Sequence, residues 1–197
     1  MTSKIALVII DQQKGIDHPK LGQRNNLDAE DKILYLLEFW RSLAYPVIHV
    51  KHRSKDPDSV FWPEQEGFDF KPEFEPKPGE EVIEKSVPCA FTNNCLQFKL
   101  DSLGMTNLAI VGVATNNSVE STARSAGNLG FRAYVIEDAC YAFAKNDYFG
   151  NPRTPIEVHA MSLANIHGEY ARVLSCHDFL TGLSSLKLCS ALDNSVA

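Results

Sequence analysis

The sequence predicts a doubly wound α/β fold: a Rossmann-like three-layer sandwich with a six-stranded, mainly parallel sheet and helices on both faces. Two observations predict it. Apolar strand-like runs alternate with helical segments along the chain. The first run, "KIALVIID" (4–11), is almost continuously apolar, as a strand buried on both faces must be. The 197 residues fit a single domain, 1–197. A chain of this size buries roughly two thirds of its unfolded surface and needs no disulfide or structural metal to fold.

The elements follow in order. After strand 4–11, "LDAEDKILYLLEFWRSLAY" (27–45) carries apolar residues at helical spacing, with acidic residues in its first turn to suit the helix dipole. "PVIHVKH" (46–52) is the second strand. Residues 53–80 form one long irregular stretch, rich in Pro, charge and aromatics; its Phe61, Trp62, Phe68 and Phe70 predict an ordered lid. "EVIEKS" (81–86) is a short third strand, followed by a helix over 93–104. "NLAIVGVA" (107–114) is the fourth strand, and a helix begins just after it. "FRAYVIEDA" (131–139) is the fifth strand, "TPIEVHAMSLANIHGEYA" (154–171) a helix with Pro155 in its first turn, and "ARVLSCHDF" (171–179) the sixth strand. The tail, 184–197, is open between a helix docked on a partner subunit and a frayed end.

Composition narrows the function. The chain is 44% hydrophobic and 22% charged with a net charge of −6, so it lacks the Lys/Arg stripe of a nucleic-acid surface. No run of 18 apolar residues occurs, and "MTSK" leads directly into a strand without the marks of a signal peptide; the expected setting is cytoplasmic, away from membranes. Five cysteines form no C-x-x-C pair, so reduced thiols are expected. His49 and His52 stand three apart on a strand and point to opposite faces, which argues against a metal site. No G-x-G-x-x-G follows a strand and no G-x-x-x-x-G-K-[ST] occurs, so no nucleotide cofactor is expected.

Open parallel sheets bind ligands beyond the carboxyl ends of their strands, near the switch in strand order. The residues there are Asp11 after the first strand, Lys85 after the third and the turn "ATNNS" after the fourth. Alone, Asp11 reads equally as a turn cap and Lys85 as a solvated edge charge. Converging on the same turn, they have a joint chemistry: the lysine steadies an anionic nucleophile and the carboxylate takes its proton. Residue 118 starts a helix, where free amides and the dipole favour negative charge.

These residues resemble the isochorismatase-like cysteine hydrolases over nearly the whole chain. The resemblance rests on "ALVIIDQQ" around Asp11, "VIEKSVPCAF" around Lys85, "GVATNNSVESTARSAGNLGF" (112–131) and "EVHAMSLANIHGEYARV" (157–173). It implies an Asp–Lys–Cys triad, a six-stranded parallel sheet and a cis peptide at Val113–Ala114. That bond would aim the Ala114 amide, beside the amide of residue 118, at the oxyanion of a bound substrate. It also implies hydrolysis of a small amide, ureido or similar C–N substrate, and a homodimer or homotetramer. The apolar tail and the lid aromatics give oligomerisation some support of their own.

One position departs from the family pattern. Ser118 stands where the cysteine belongs, and Asn116 where an Asp is usual. An alcohol is a weaker acid than a thiol, so turnover should be poor, and the chain is read as an inactivated form of a cysteine enzyme. Two alternatives stand beside this: a vinyl-ether hydrolase of the isochorismatase type with no covalent intermediate, and a non-catalytic small-molecule-binding protein. "HVKHRSKDPDS" does not reproduce the metal-binding Asp/His spacing of nicotinamidases. Phe61, Trp62, Phe91, Asn94, Tyr148 and Phe149 are the candidates for the substrate pocket. Cys89, Cys140, Cys176, His159 and His167 are read as structural.

Overall fold

The computed structural model describes residues 4–183, with the side chain of Asn94 excepted. Its strands are β1 (Ile5–Ile10), β2 (Val47–His52), β3 (Glu81–Lys85), β4 (Asn107–Val113), β5 (Arg132–Tyr141), the short pair β6 (Lys145–Asn146) and β7 (Pro152–Arg153), and β8 (Ala171–Leu174). The helices are α1 (Ala29–Ser42), α2 (Cys95–Ser102), α3 (Glu120–Asn128), α4 (Pro155–Ile166) and a fifth, α5, over 176–183. Six strands form one parallel sheet in the order β3-β2-β1-β4-β5-β8.

The continuous apolar run of β1 has a simple cause. Ala6, Val8 and Ile10 pack under α2, α3 and α4, whereas Ile5, Leu7 and Ile9 pack against α1 and α5. Each such side chain, once fully buried, contributes roughly 1.5–3 kcal/mol. On α1 the buried residues Ala29, Ile33, Leu36, Leu37 and Trp40 recur at helical spacing along one stripe. Trp40 anchors that face: its ring stacks on Phe179 with centroids 6.0 Å apart, and its Nε1 donates to the Ile5 carbonyl at 2.8 Å.

The expected fold class is what the structure shows, with three local differences. The sixth strand stops at Leu174 because Ser175 starts a helix: its Oγ accepts from the Asp178 amide at 3.1 Å. Helix α4 ends at Ile166 rather than 171, where Gly168 at φ +83° turns the chain back toward β8. The β6–β7 hairpin was not expected. Its turn is tied by Asp147, which accepts from the Phe149 and Asn151 amides and pairs with Arg153.

The stretch 53–80 is ordered by polar ties rather than by regular structure. Gln13 donates to the carbonyls of His52 and Phe68 at 3.0 and 2.8 Å. Buried Lys71 lies 2.7 Å from both Asp17 and Glu30, fastening the segment to α1. Phe68 and Phe74 are buried beneath it. No helix among the described residues is long and apolar enough to cross a membrane. The question left open for the tail, 184–197, lies outside the described residues.

Candidate active site

Strand order reverses between β1 and β4: the chain winds outward through β2 and β3 on one side and through β5 and β8 on the other. The crevice therefore opens above the carboxyl ends of β1 and β4. Their approach there is close. A Cβ on Gly112, which sits at φ +114°, would lie 2.2 Å from the Ile10 carbonyl oxygen, so only glycine fits.

Three strand ends converge at this point. Asp11 follows β1 with φ 54°, its amide donating to the Val50 carbonyl at 2.9 Å. Lys85 is the last residue of β3 and reaches across the end of β2. Ser118 lies in a π-type turn, Thr115–Val119, that leads into α3. Lys85 Nζ donates to Asp11 Oδ2 at 2.7 Å and to Ser118 Oγ at 3.1 Å. All three are 5% exposed. Asp11 Oδ1 is buried with no hydrogen-bond partner among the described residues, a costly state unless the oxygen has a proton to receive. The Val113–Ala114 peptide is cis.

A second layer holds the turn that carries Ser118. His159 of α4 lies 2.8 Å from Thr115 Oγ1 through Nδ1. Ser162, one turn further on, has its hydroxyl 2.9 Å from the Thr115 carbonyl and 2.7 Å from Glu120 Oε2. Burial pushes the His159 imidazole below the usual histidine range, so the neutral ring faces the threonine.

A cleft of about 420 Å³ opens over the three residues. Ile16, Leu21, Phe61, Val113 and Phe143 give it apolar walls, and Asn116, Asn117, His52 and Lys145 supply polar groups. Strand alternation also foretells the two histidines' directions. His49 points away, bonded to Glu80 at 2.8 Å, whereas His52 points into the cleft, its Nδ1 3.4 Å from Lys85 Nζ and its ring edge-on to Phe61. Burial and then the Lys85 charge lower the His52 pKa, leaving a neutral imidazole at the mouth. In the sequence His52 is weighed only as a metal ligand, and against; its place at the end of β2, beside β1, is the signal that points to the cleft. No group of three His, Cys, Asp or Glu side chains among the described residues is placed to hold a metal ion.

The aromatic candidates separate. Phe61 lines the cleft. Trp62 is half-buried and not among the lining residues. Phe91 is a core residue, packed on Phe131 with centroids 5.6 Å apart, because its short 3-10 turn faces α3 rather than the crevice. Asn94 closes that turn, its side chain lying outside the described ones. Tyr148 and Phe149, 95% and 85% exposed, sit on the β6–β7 turn and do not line the cleft. Cys89 is half-buried, its thiol donating to Ser125 Oγ at 3.0 Å. His167 caps α4 and accepts from the Val173 amide at 3.1 Å.

Comparison with known proteins places this architecture. Residues 5–174 match the isochorismatase domain model. The isochorismatase family protein YrdC of Bacillus subtilis is 39% identical over 175 residues, covering 89% of this chain and 94% of that one. A crystal structure of an isochorismatase-family protein from Chromobacterium violaceum superimposes with a TM-score of 0.89 at 46% identity, covering 94% of this chain and 96% of that one. The ureidoacrylate amidohydrolase RutB of Acinetobacter baylyi is 34% identical over 116 residues, which is 58% of this chain and 43% of RutB. With a family model spanning nearly every described residue and the sheet order to match, this chain belongs to the isochorismatase family.

Proposed function

We propose that the chain is built as a hydrolase of small amides or ureido compounds, with Asp11 and Lys85 serving residue 118 as nucleophile. The observation that carries this is the buried ammonium of Lys85, shared between Asp11 at 2.7 Å and Ser118 at 3.1 Å at the switch point of the sheet. Similarity to an amidohydrolase supports the C–N bond as the target.

In this account residue 118 attacks the substrate carbonyl carbon while its proton passes to Asp11, and Lys85 steadies the anion as it forms. The amides of Ala114 and Ser118 receive the oxyanion. As the tetrahedral adduct collapses, the C–N bond breaks and the Asp11 proton goes to the departing nitrogen. Water then gives a proton to Asp11 and adds to the acyl group. The bond to residue 118 breaks, its side chain recovers the proton, and a carboxylic acid leaves. Apolar walls around Phe61 exclude bulk water and strengthen each of these electrostatic steps.

With serine at 118 the cycle starts slowly, because a lysine and a carboxylate suited to ionising a thiol leave an alcohol protonated. The chain is an impaired form, and cysteine at 118 restores it. A panel of small amides and ureido acids assayed against the protein and against Ser118→Cys tests this reading. The expected result is a gain in kcat/KM of about a hundredfold or more, the scale of a well-activated catalytic group. Equal rates, or none in either protein, would overturn it.

A further inference from the structure

We infer that the cleft selects substrates carrying a carboxylate, and that Lys145 is the residue that binds it. The inference rests on the amide hydrolase reading above and names its substrate class.

It follows from the charges around the cleft. Among the described residues, the titratable side chains that line it are Asp11, His52 and Lys145. The Asp11 carboxylate is matched by Lys85 at 2.7 Å. The His52 imidazole is held neutral by burial and by the Lys85 charge. Among the described lining residues, that leaves the charge of Lys145 to consider. Among the described residues it forms no ion pair, although its own hairpin holds an acid two residues away. That acid, Asp147, is committed to Arg153 and to the amides of Phe149 and Asn151. The hairpin thus neutralises its arginine and leaves its lysine free.

The result is a local inversion of charge. The protein carries a net charge of −6, yet the cleft is edged by the exposed ammonium of Lys145, which also borders the neighbouring cavity of Glu120, Asp147 and Glu157 but forms no ion pair among the described residues. Apolar lining residues together with an exposed ammonium fit a small molecule with a reacting amide at one end and an anion at the other. Asn116 and Asn117, which also line the cleft, offer neutral hydrogen-bonding groups to the rest of such a molecule. A carboxylate fits a single lysine as a point-charge partner. Electrostatic attraction at such a rim also raises the encounter rate of an anionic substrate.

The test uses paired probes differing only in charge: the half-amides of malonic to adipic acid against the matching diamides, and N-carbamoyl amino acids against their carboxamides. Binding to the protein as it stands is measured by calorimetric titration, and turnover with Ser118→Cys. At least one anionic member is expected to exceed its neutral partner about tenfold, with the advantage shrinking as salt rises. Lys145→Met should erase that preference and Lys145→Arg should keep most of it. Neutral partners performing equally well would overturn the inference while leaving the amidase reading intact. An anionic preference that persists in Lys145→Met would overturn the assignment to Lys145. If no member of either series binds or is hydrolysed, the amidase reading fails and takes this inference with it.

Discussion

Gly112 and Ile10 pair across β4 and β1 so closely that a single added carbon at Gly112 would sit 2.2 Å from the Ile10 carbonyl oxygen. The contact lies one residue before Asp11 and six before Ser118, so it sets how near the turns that carry these two residues approach. Gly112→Ala is expected to cost roughly 2–5 kcal/mol, combining positive-φ strain with overpacking. Gly130 also has a positive φ, but nothing lies within 4 Å of its added carbon. Gly130→Ala should cost only about 1–2 kcal/mol, and urea unfolding of the two variants checks the contrast.

Asp11 and Lys85 depend on each other for burial. Removing one partner leaves an uncompensated charge in the interior, which typically costs about 3–5 kcal/mol. Lys85→Met should therefore destabilise the fold as well as abolish turnover in a Ser118→Cys background. Asp11→Asn, which keeps the shape, should lower kcat about a hundredfold or more while the protein stays folded by circular dichroism. Activity above roughly a tenth of the parent's in both variants would refute their roles.

Ser162 braces the turn that carries Ser118 from outside it. Ser162→Ala removes a buried hydroxyl shared by the Thr115 carbonyl and Glu120. A loss of about 1–3 kcal/mol is expected from the unpaired groups left behind. Because the turn carries Ser118, kcat should fall more than KM rises.

Acid should destabilise the protein in two stages. Burial holds His49 below the usual histidine range, outweighing the Glu80 carboxylate bonded to it. Its contribution is complete above about pH 6.5 and is lost as pH falls toward the lower folded value, since the unfolded chain takes up its proton first. His52 and His159 act in the same sense. Burial opposes ionisation of Glu80, but Arg41, the Lys77 amide and His49 outweigh it and hold its pKa at about 2. That stability is present above about pH 4.5 and drains away as pH falls toward 2. Urea midpoints measured from pH 7.5 to 3 should fall throughout, and His49→Gln should flatten the upper part of the curve.

The sheet was legible because both of its faces are covered, so that strands such as 5–10 are written as unbroken apolar runs. The candidate site was legible as a placement: Asp11, Lys85 and the turn at 118 stand at strand ends, where the topological rule and the family resemblance direct attention, and the structure brings the three side chains together. What escaped was decided by tertiary contacts. Phe91 reads as pocket-facing in one dimension, but α3 and Phe131 claim it for the core. Ser175 capped a helix inside an apolar run that alone reads as strand. The β6–β7 hairpin has strands of two residues, too short for any periodicity, yet it delivers Lys145 to the cleft. His52 points away from His49, as strand alternation predicts, but its place in the cleft goes unread because a metal is the only role weighed for it.

The central claim is that residue 118 makes and breaks the covalent bond. Rapid-quench intact-mass analysis of Ser118→Cys with an excess of a turned-over amide tests it most directly. The account predicts a protein mass increased by the substrate's acyl group, mapped by peptide digestion to residue 118 and absent when Asp11→Asn is added. Steady turnover with no adduct at residue 118, or with the adduct on Cys89, would contradict it.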